Sequence, residues 1–84
     1  MMNLPKMVEL LESTLQVMVG SELGMHNKEI DSEVAKHLNL STEQLSQVRL
    51  GKRTEFAYRM AWARQRLKQE KKIENLGKGF WKII

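Results

Sequence analysis

Apolar positions spaced three and four residues apart predict helices along much of the chain. The first such stripe consists of Met7, Val8, Leu11, Leu15 and Met18, which would share one face of an α-helix. We expect this helix to begin after Asn3, whose side chain can cap free amides, to tolerate Pro5 in its opening turn, and to end near Gly20. A short extended segment, residues 23–26, then leads to Asn27, the predicted N-cap of a second helix. The buried face of that helix comprises Ile30, Val34 and Leu38.

A capping box marks the start of the third predicted helix. Its sequence is Ser41-Thr42-Glu43-Gln44, in which Ser41 accepts a hydrogen bond from the Gln44 amide and the Gln44 side chain bonds back to Ser41. The hydrophobic staple across this boundary is Leu40 with Leu45. We expect a short helix carrying Leu45 and Val48, which Gly51 ends by adopting the left-handed conformation.

The fourth predicted helix is the longest and has a polar outer face. Thr54, which follows Lys52 and Arg53, is its predicted N-cap. Helical periodicity turns toward the core the side chains of Phe56, Met60, Ala63 and Leu67. The opposite side carries Tyr58, Ala61, Gln65 and Gln69, with Arg64, Lys68 and Lys71 along one edge and Arg59 and Arg66 along the other.

The end of the chain predicts a β-hairpin. Its strands are residues 73–76 and 80–84, joined by the three-residue loop Gly77-Lys78-Gly79. The facing pairs are Leu76 with Phe80, Glu74 with Lys82, and Ile73 with Ile83. A two-residue Gly77-Lys78 turn would instead set Ile73 against Lys82. Because an isolated hairpin is marginal in water, it should pack on the helices and recruit residues 23–26 as a third strand.

These elements predict a mainly α fold with a small β-sheet, a winged helix-turn-helix of three to four helices and a C-terminal hairpin wing. We expect one domain over residues 1–84. Much of its core should come from the aromatic side chains of Phe56, Trp62, Phe80 and Trp81, with base stacking as the alternative role. Neighbouring strand residues point to opposite sides, so at most one of Phe80 and Trp81 can lie beneath the wing.

Composition narrows the class of protein. With 84 residues, 42% hydrophobic and 29% charged, the chain should fold as one domain without disorder. The sequence has no cysteine, which excludes disulfides and thiolate zinc sites. Apolar runs are too short for a transmembrane helix and the N-terminus lacks a signal-peptide pattern, so we expect a cytoplasmic protein with no membrane partner.

Charge is distributed unequally along the chain. Residues 1–48 carry three lysines and seven acidic residues, a balance of −4, whereas residues 49–84 carry eleven cations and three acids, a balance of +8. Clustered cations gain binding free energy on a nucleic acid by releasing condensed counterions. We therefore favour a nucleic-acid partner for the second half over the alternative that the lysines only aid solubility.

One family resemblance is carried by the fourth helix and the hairpin. The segments are Arg59-Met60-Ala61-Trp62-Ala63-Arg64-Gln65-Arg66-Leu67-Lys68 and Lys78-Gly79-Phe80-Trp81. With similarity running from Leu4 to Ile83, the chain resembles the N-terminal domain of Mrr-type restriction proteins, which restrict modified DNA. The resemblance implies a winged helix that delivers DNA to a nuclease domain farther along the polypeptide.

The chain departs from that family pattern in two places. Glu70, Lys71 and Lys72 stand where the family usually has a small residue, a glycine and an apolar residue. Without glycine, a left-handed helix stop costs more. The sequence also ends at Ile84, so we expect no nuclease domain within it and no catalytic activity of its own.

Helix-turn-helix geometry selects the candidate contacts with double-stranded DNA, whose methylation is left open. The residues expected at or near base edges are Arg53, Thr54, Tyr58 and Gln65. The cations expected on phosphates are Arg49, Lys52, Arg64, Lys68 and Lys78. For both sets the alternative is an ordinary solvated side chain.

Other chemistry is not indicated. The two histidines, His26 and His37, lie eleven residues apart without further ligands at metal spacing, so we expect solvated or capping roles and neither metal nor cofactor. No catalytic triad or phosphate-binding loop is present. The rival function is a protein-interaction or dimerisation domain, and homodimer formation is left open.

Overall fold

The computed structural model describes residues 3–84, and within them it contains four helices and five strands. The helices are α1 (Met7–Met18), α2 (Asn27–His37), α3 (Thr42–Ser46) and α4 (Glu55–Gln69). The strands are β1 (Met25–His26), β2 (Val48–Leu50), β3 (Arg53–Thr54), β4 (Ile73–Gly77) and β5 (Phe80–Ile83). The predicted mainly α, winged-helix-like fold with a C-terminal hairpin is confirmed.

Two small antiparallel sheets accompany the helices. The first has the strand order β1-β5-β4, with Met25 opposite Trp81 and His26 opposite Phe80. The hairpin therefore recruits the segment before α2 as its third strand, as predicted. The second sheet pairs β2 with β3 just before α4 and has no counterpart in the sequence prediction.

Helix α1 starts later than predicted. It begins at Met7, because the Glu9 side chain accepts a hydrogen bond from the Lys6 backbone N–H at 3.0 Å. Asn3 lies outside the helix, where its carbonyl oxygen accepts from the Gln44 side chain at 2.8 Å.

The buried face of α1 is also rotated from the predicted stripe. Its buried residues are Leu10, Ser13, Thr14 and Met18, whereas Val8 is exposed. Thr14 can be buried because its hydroxyl donates to the Leu10 carbonyl at 2.6 Å. Ser13 is satisfied by a 2.7 Å hydrogen bond between its hydroxyl and Nδ1 of His37. Hydrogen bonding thus lets two polar residues occupy positions that an apolar pattern leaves out.

The N-cap of α2 is His26, not Asn27. Nδ1 of His26 accepts from the Lys28 backbone N–H at 3.2 Å. Asn27 is instead engaged with the sheet, since its Oδ1 accepts from Trp81 Nε1 at 2.5 Å and its backbone N–H donates to the Gly79 carbonyl at 2.9 Å. A polar residue at this boundary was expected to cap the helix, but its partner is a distant strand.

The capping box of α3 is confirmed. The Gln44 N–H donates to Ser41 Oγ at 3.1 Å, and the Ser41 N–H donates to Gln44 Oε1 at 2.8 Å. The predicted continuation to Val48 is wrong, because α3 ends at Ser46 and Val48 begins β2. Gly51 does adopt a left-handed conformation, with φ of 61°, but it turns the β2–β3 hairpin and does not stop a helix.

Helix α4 follows its prediction closely. Thr54 Oγ1 accepts from the Ala57 N–H at 3.1 Å and caps the helix. The predicted core positions Phe56, Met60, Ala63 and Leu67 are all buried. They pack with residues of the other elements: Leu10, Met18, Met25, Ile30, Val34, Ile73 and Trp81. The core therefore lies between α4, α1, α2 and the inner side of the wing.

A lysine ends α4 where glycine is the common choice. Lys71 has φ of 61°. Its N–H donates to the Lys68 carbonyl at 3.0 Å, and the Lys72 N–H donates to the Leu67 carbonyl at 2.9 Å. This pair of hydrogen bonds is a Schellman motif, so the left-handed stop forms in spite of the missing glycine.

The wing turn has two residues, and the predicted three-residue loop is wrong. Ile73 pairs with Ile83 and Glu74 with Lys82, as predicted, but Gly77 lies opposite Phe80 after an irregularity between Asn75 and Gly77. Leu76 is thus the extra residue of a bulge and has no facing partner. Lys78 and Gly79 form the turn, both with positive φ, at 54° and 83°. A Cβ on Gly79 would lie 2.9 Å from Nε2 of His26, so the turn rests directly against the start of α2.

Lys71 offers a test of the helix stop. We expect Lys71→Gly to raise the free energy of unfolding by about 0.5 to 1 kcal/mol, because glycine relieves left-handed strain and loses part of this gain in unfolded-state entropy. Urea denaturation measures the change. As a control, Lys68→Gly, inside the same helix, should lower the free energy of unfolding by about 1 kcal/mol. A Lys71→Gly variant less stable than the parent would contradict the assignment.

Candidate nucleic-acid interface

The outer face of α4 contains a shallow, mostly apolar depression. It has a volume of about 280 Å³ and is lined by Arg53, Tyr58, Ala61, Trp62 and Gln65; we call it the α4 depression. Burial of the opposite face of α4 turns Tyr58, Ala61, Trp62 and Gln65 outward, and Arg53 reaches the depression from β3. Three of the four residues predicted to reach base edges, Arg53, Tyr58 and Gln65, therefore lie together here.

Trp62 belongs to this surface and not to the core. Its side chain is 55% exposed, and its ring meets that of Tyr58 edge to face, with centroids 6.4 Å apart. The prediction that Trp62 is a core residue is wrong. Residues four apart share a helix face, so Trp62 lies on the same outer face of α4 as Tyr58. Of the other aromatic residues, Phe56 and Trp81 are buried, whereas Phe80 is 42% exposed.

Thr54 and Arg49 are placed beside the depression with partners of their own. The Thr54 hydroxyl oxygen accepts a hydrogen bond from the Ala57 N–H of the helix, which leaves its O–H donor and one lone pair for other partners. Arg49 on β2 lies with its guanidinium carbon 3.6 Å from the Tyr58 ring centroid and donates to Glu55 at 3.1 Å. Arg49 therefore covers one side of the Tyr58 ring.

Three of the predicted phosphate contacts are exposed and form no ion pair with residues 3–84. Lys52 occupies the β2–β3 turn, Lys68 the last turn of α4, and Lys78 the wing turn. These three lysines can bind a polyanion without first breaking an ion pair within residues 3–84. They lie on three separate elements, so a ligand that contacted all three would extend across α4 and both hairpins.

Arg64 is not among the available cations. Its side chain is only 7% exposed and its guanidinium donates to Asp31, whose side chain is 20% exposed. The sequence placed Arg64 at an edge of the polar face; the structure turns it inward, where it joins α4 to α2. The expected phosphate contact of Arg64 is therefore corrected to a buried ion pair between these two helices.

Burial has the largest effect on the pKa of Asp31. Loss of hydration raises its pKa to about 6, even though the charges of Arg64 and Arg53 and the Arg64 hydrogen bond favour the ionised form. The carboxylate is thus held in an environment that costs free energy at neutral pH. This is a structural pair whose strength depends on pH.

Metal-binding and membrane-spanning features were not found within residues 3–84. No group of His, Asp and Glu residues within 3–84 is arranged to hold a metal ion. His26 caps α2 and His37 contacts Ser13. No helix among these residues is long and apolar enough to cross a bilayer.

Comparison with known proteins adds one finding to this geometry. The family model described as Mrr N-terminal domain matches residues 8–83, which is nearly the whole chain. Searches of curated proteins and of solved structures return no match.

The Asp31 carboxyl generates a prediction on pH. Because its pKa is higher in the folded protein than in the unfolded chain, the folded state binds more protons between about pH 4 and pH 6. The Asp31 contribution to stability should therefore rise as pH falls through this window and be smallest above it. Urea unfolding of the parent and of Asp31→Asn isolates this contribution as their difference. A difference that stays constant from pH 7 to pH 4 would refute the raised pKa.

Proposed function

We propose that this chain, which belongs to the family of Mrr N-terminal domains, binds double-stranded DNA as the target-recognition module of a restriction-system protein. Family membership shows that the chain is a domain of restriction-system proteins. DNA binding by this domain is our proposal. The observation that carries it is the outer face of α4, where hydrogen-bonding side chains and aromatic rings line one depression, together with the exposed, unpaired lysines on α4 and on the two hairpin turns.

The α4 depression supplies the side chains for reading bases. A helix of this kind lies in the major groove with its N-terminal part toward the base edges. Arg53, at the N-terminal end, has the forked donors that suit guanine O6 and N7, and Gln65 has the amide that suits adenine N6 and N7. Tyr58 and Ala61 form the apolar floor between them. The Thr54 hydroxyl, with one lone pair used by the helix cap, can still donate its proton.

Lys52, Lys68 and Lys78 supply contacts to the phosphates. A phosphate contact requires charge and proximity more than a fixed geometry. The three ammonium groups lie on the β2–β3 turn, on α4 and on the wing turn, which in this proposal follow the backbone on both sides of the groove. We assign no catalytic role to the domain and place it in the cytoplasm with its DNA.

A protein-docking function is the second candidate, and one observation favours it. Val48 and Leu50 are 66% and 82% exposed on β2, and two large apolar side chains on a surface strand are typical of a contact with another protein. This surface would serve a second copy of the chain or another subunit. It does not require the unpaired lysines, which distinguishes it from the DNA hypothesis.

The salt dependence of binding tests the phosphate contacts. We expect the variant Lys52→Gln/Lys68→Gln/Lys78→Gln to bind a duplex with a plot of log affinity against log salt that is shallower by about 2.7, since each lost contact removes about 0.9. Fluorescence anisotropy with methylated and unmethylated forms of one duplex measures it and shows whether methylation changes affinity.

A matched control for this experiment is Lys36→Gln. Lys36 pairs with Glu33 on α2 at 3.4 Å, so its removal should leave the slope unchanged. An unchanged slope in the triple variant would eliminate the assigned phosphate contacts. Failure of the parent chain to bind any duplex at low salt would eliminate the DNA hypothesis in favour of docking.

Gln65 tests the reading of bases. We expect Gln65→Ala to reduce discrimination at one base pair by about 1 to 3 kcal/mol, with little change in salt dependence. The measurement is competition between the duplex selected by the parent chain from a random pool and versions of it with single base-pair changes. Gln69→Ala is the control, because Gln69 lies one turn along α4 outside the depression. Equal loss in both variants would show that Gln65 does not read a base.

A further inference from the structure

Glu55 lies at the centre of a group of contacts at the start of α4. Its Oε1 accepts from Arg49 Nη1 at 3.1 Å, and its Oε2 accepts from Arg59 Nε at 2.9 Å. Arg59 in turn donates to the Pro5 carbonyl at 3.5 Å. A single carboxylate therefore links the β2 strand, α4 and the segment that leads into α1.

Arg49 has a second partner in the Tyr58 ring. Its guanidinium carbon lies 3.6 Å from the ring centroid, whereas that of Arg53 lies 5.6 Å away. A guanidinium stacked on an aromatic face gains cation–π and dispersion attraction. The same guanidinium donates to the Glu55 carboxylate. The ring contact and the ion pair therefore favour the same orientation of the Arg49 side chain.

The electrostatics agree with this geometry. The hydrogen bond from Arg59 holds the pKa of Glu55 below its usual range, with a further contribution from Arg49. Glu55 is therefore ionised at neutral pH, and the positive charge of Arg49 has a fixed counter-charge in the protein itself.

We propose that Glu55 is a positioning residue of the DNA-binding face, which holds Arg49 over the Tyr58 ring beside the α4 depression and keeps it off the phosphates. This proposal rests on the proposed function. It also revises the sequence-based assignment of Arg49 as a phosphate contact, because the Glu55 carboxylate already engages its Nη1 and matches its charge.

The salt dependence of DNA binding distinguishes a fixed Arg49 from a free one. Only a cation that neutralises a phosphate releases counterions. If Glu55 holds Arg49, then Arg49→Gln leaves the slope of log affinity against log salt unchanged. Glu55→Gln, which keeps the shape of the side chain but removes its charge, frees Arg49 and steepens the slope by about 0.9. The double variant Glu55→Gln/Arg49→Gln returns to the parent slope.

A charge-matched control separates this effect from the loss of a negative charge alone. Glu12 is exposed on α1 and forms no ion pair with residues 3–84, so Glu12→Gln makes the same change in net charge and should leave the slope unchanged. A parent slope that becomes shallower by about 0.9 in Arg49→Gln, or an unchanged slope in Glu55→Gln, would overturn the proposal.

Proton NMR of the free protein supplies a readout that needs no DNA. In the parent chain the Arg49 side-chain protons should be shifted upfield by the Tyr58 ring, and this shift should be lost in Glu55→Gln while the core methyl signals stay unchanged. Retention of the shift in Glu55→Gln would refute the positioning role of Glu55. If the shift is lost but the parent chain binds no duplex, the proposed function fails while the positioning of Arg49 by Glu55 is shown.

Discussion

The burial of one face of α4 is the constraint on which the rest of the structure depends. Phe56, Met60, Ala63 and Leu67 must be removed from water together, and their spacing leaves only one orientation of the helix that achieves this. Once that orientation is set, Tyr58, Trp62 and Gln65 face outward as a group. The composition of the candidate interface is thus a consequence of core packing, and the Asp31–Arg64 pair secures the same orientation from the side of α2.

The sequence was sufficient to predict a motif where all of its partners lie within a few residues of one another. The capping box at Ser41, the cap at Thr54 and the core face of α4 could all be predicted, because each depends on neighbours within one or two turns. The failures involve partners far along the chain. Asn27 looks like a cap but bonds to Trp81, and Ser13 looks like a surface residue but bonds to His37. A pattern of apolar positions carries no information on such distant hydrogen bonds.

The candidate site likewise contains residues whose placement could be predicted from the sequence and residues whose placement could not. Helical periodicity brought Tyr58 and Gln65 to one face correctly, and applied consistently it would also have placed Trp62 there. It could not reveal that Arg64 is buried, since an arginine at the edge of a polar face looks the same with or without an aspartate on another helix. The pairing of β2 with β3 was missed because each strand has only two or three residues, too few for an alternating pattern.

The wing turn is attached to the helices more firmly than a projecting hairpin need be. The Asn27 N–H bonds to the Gly79 carbonyl, and the backbone of the turn leaves no room for a Cβ beside His26. These contacts hold the wing turn against α2 before any ligand arrives. Under the proposed DNA-binding function, a double helix whose backbone spacing differs from this arrangement would itself have to bend or change its groove width, so the ease with which a DNA sequence deforms would become part of what the domain recognises.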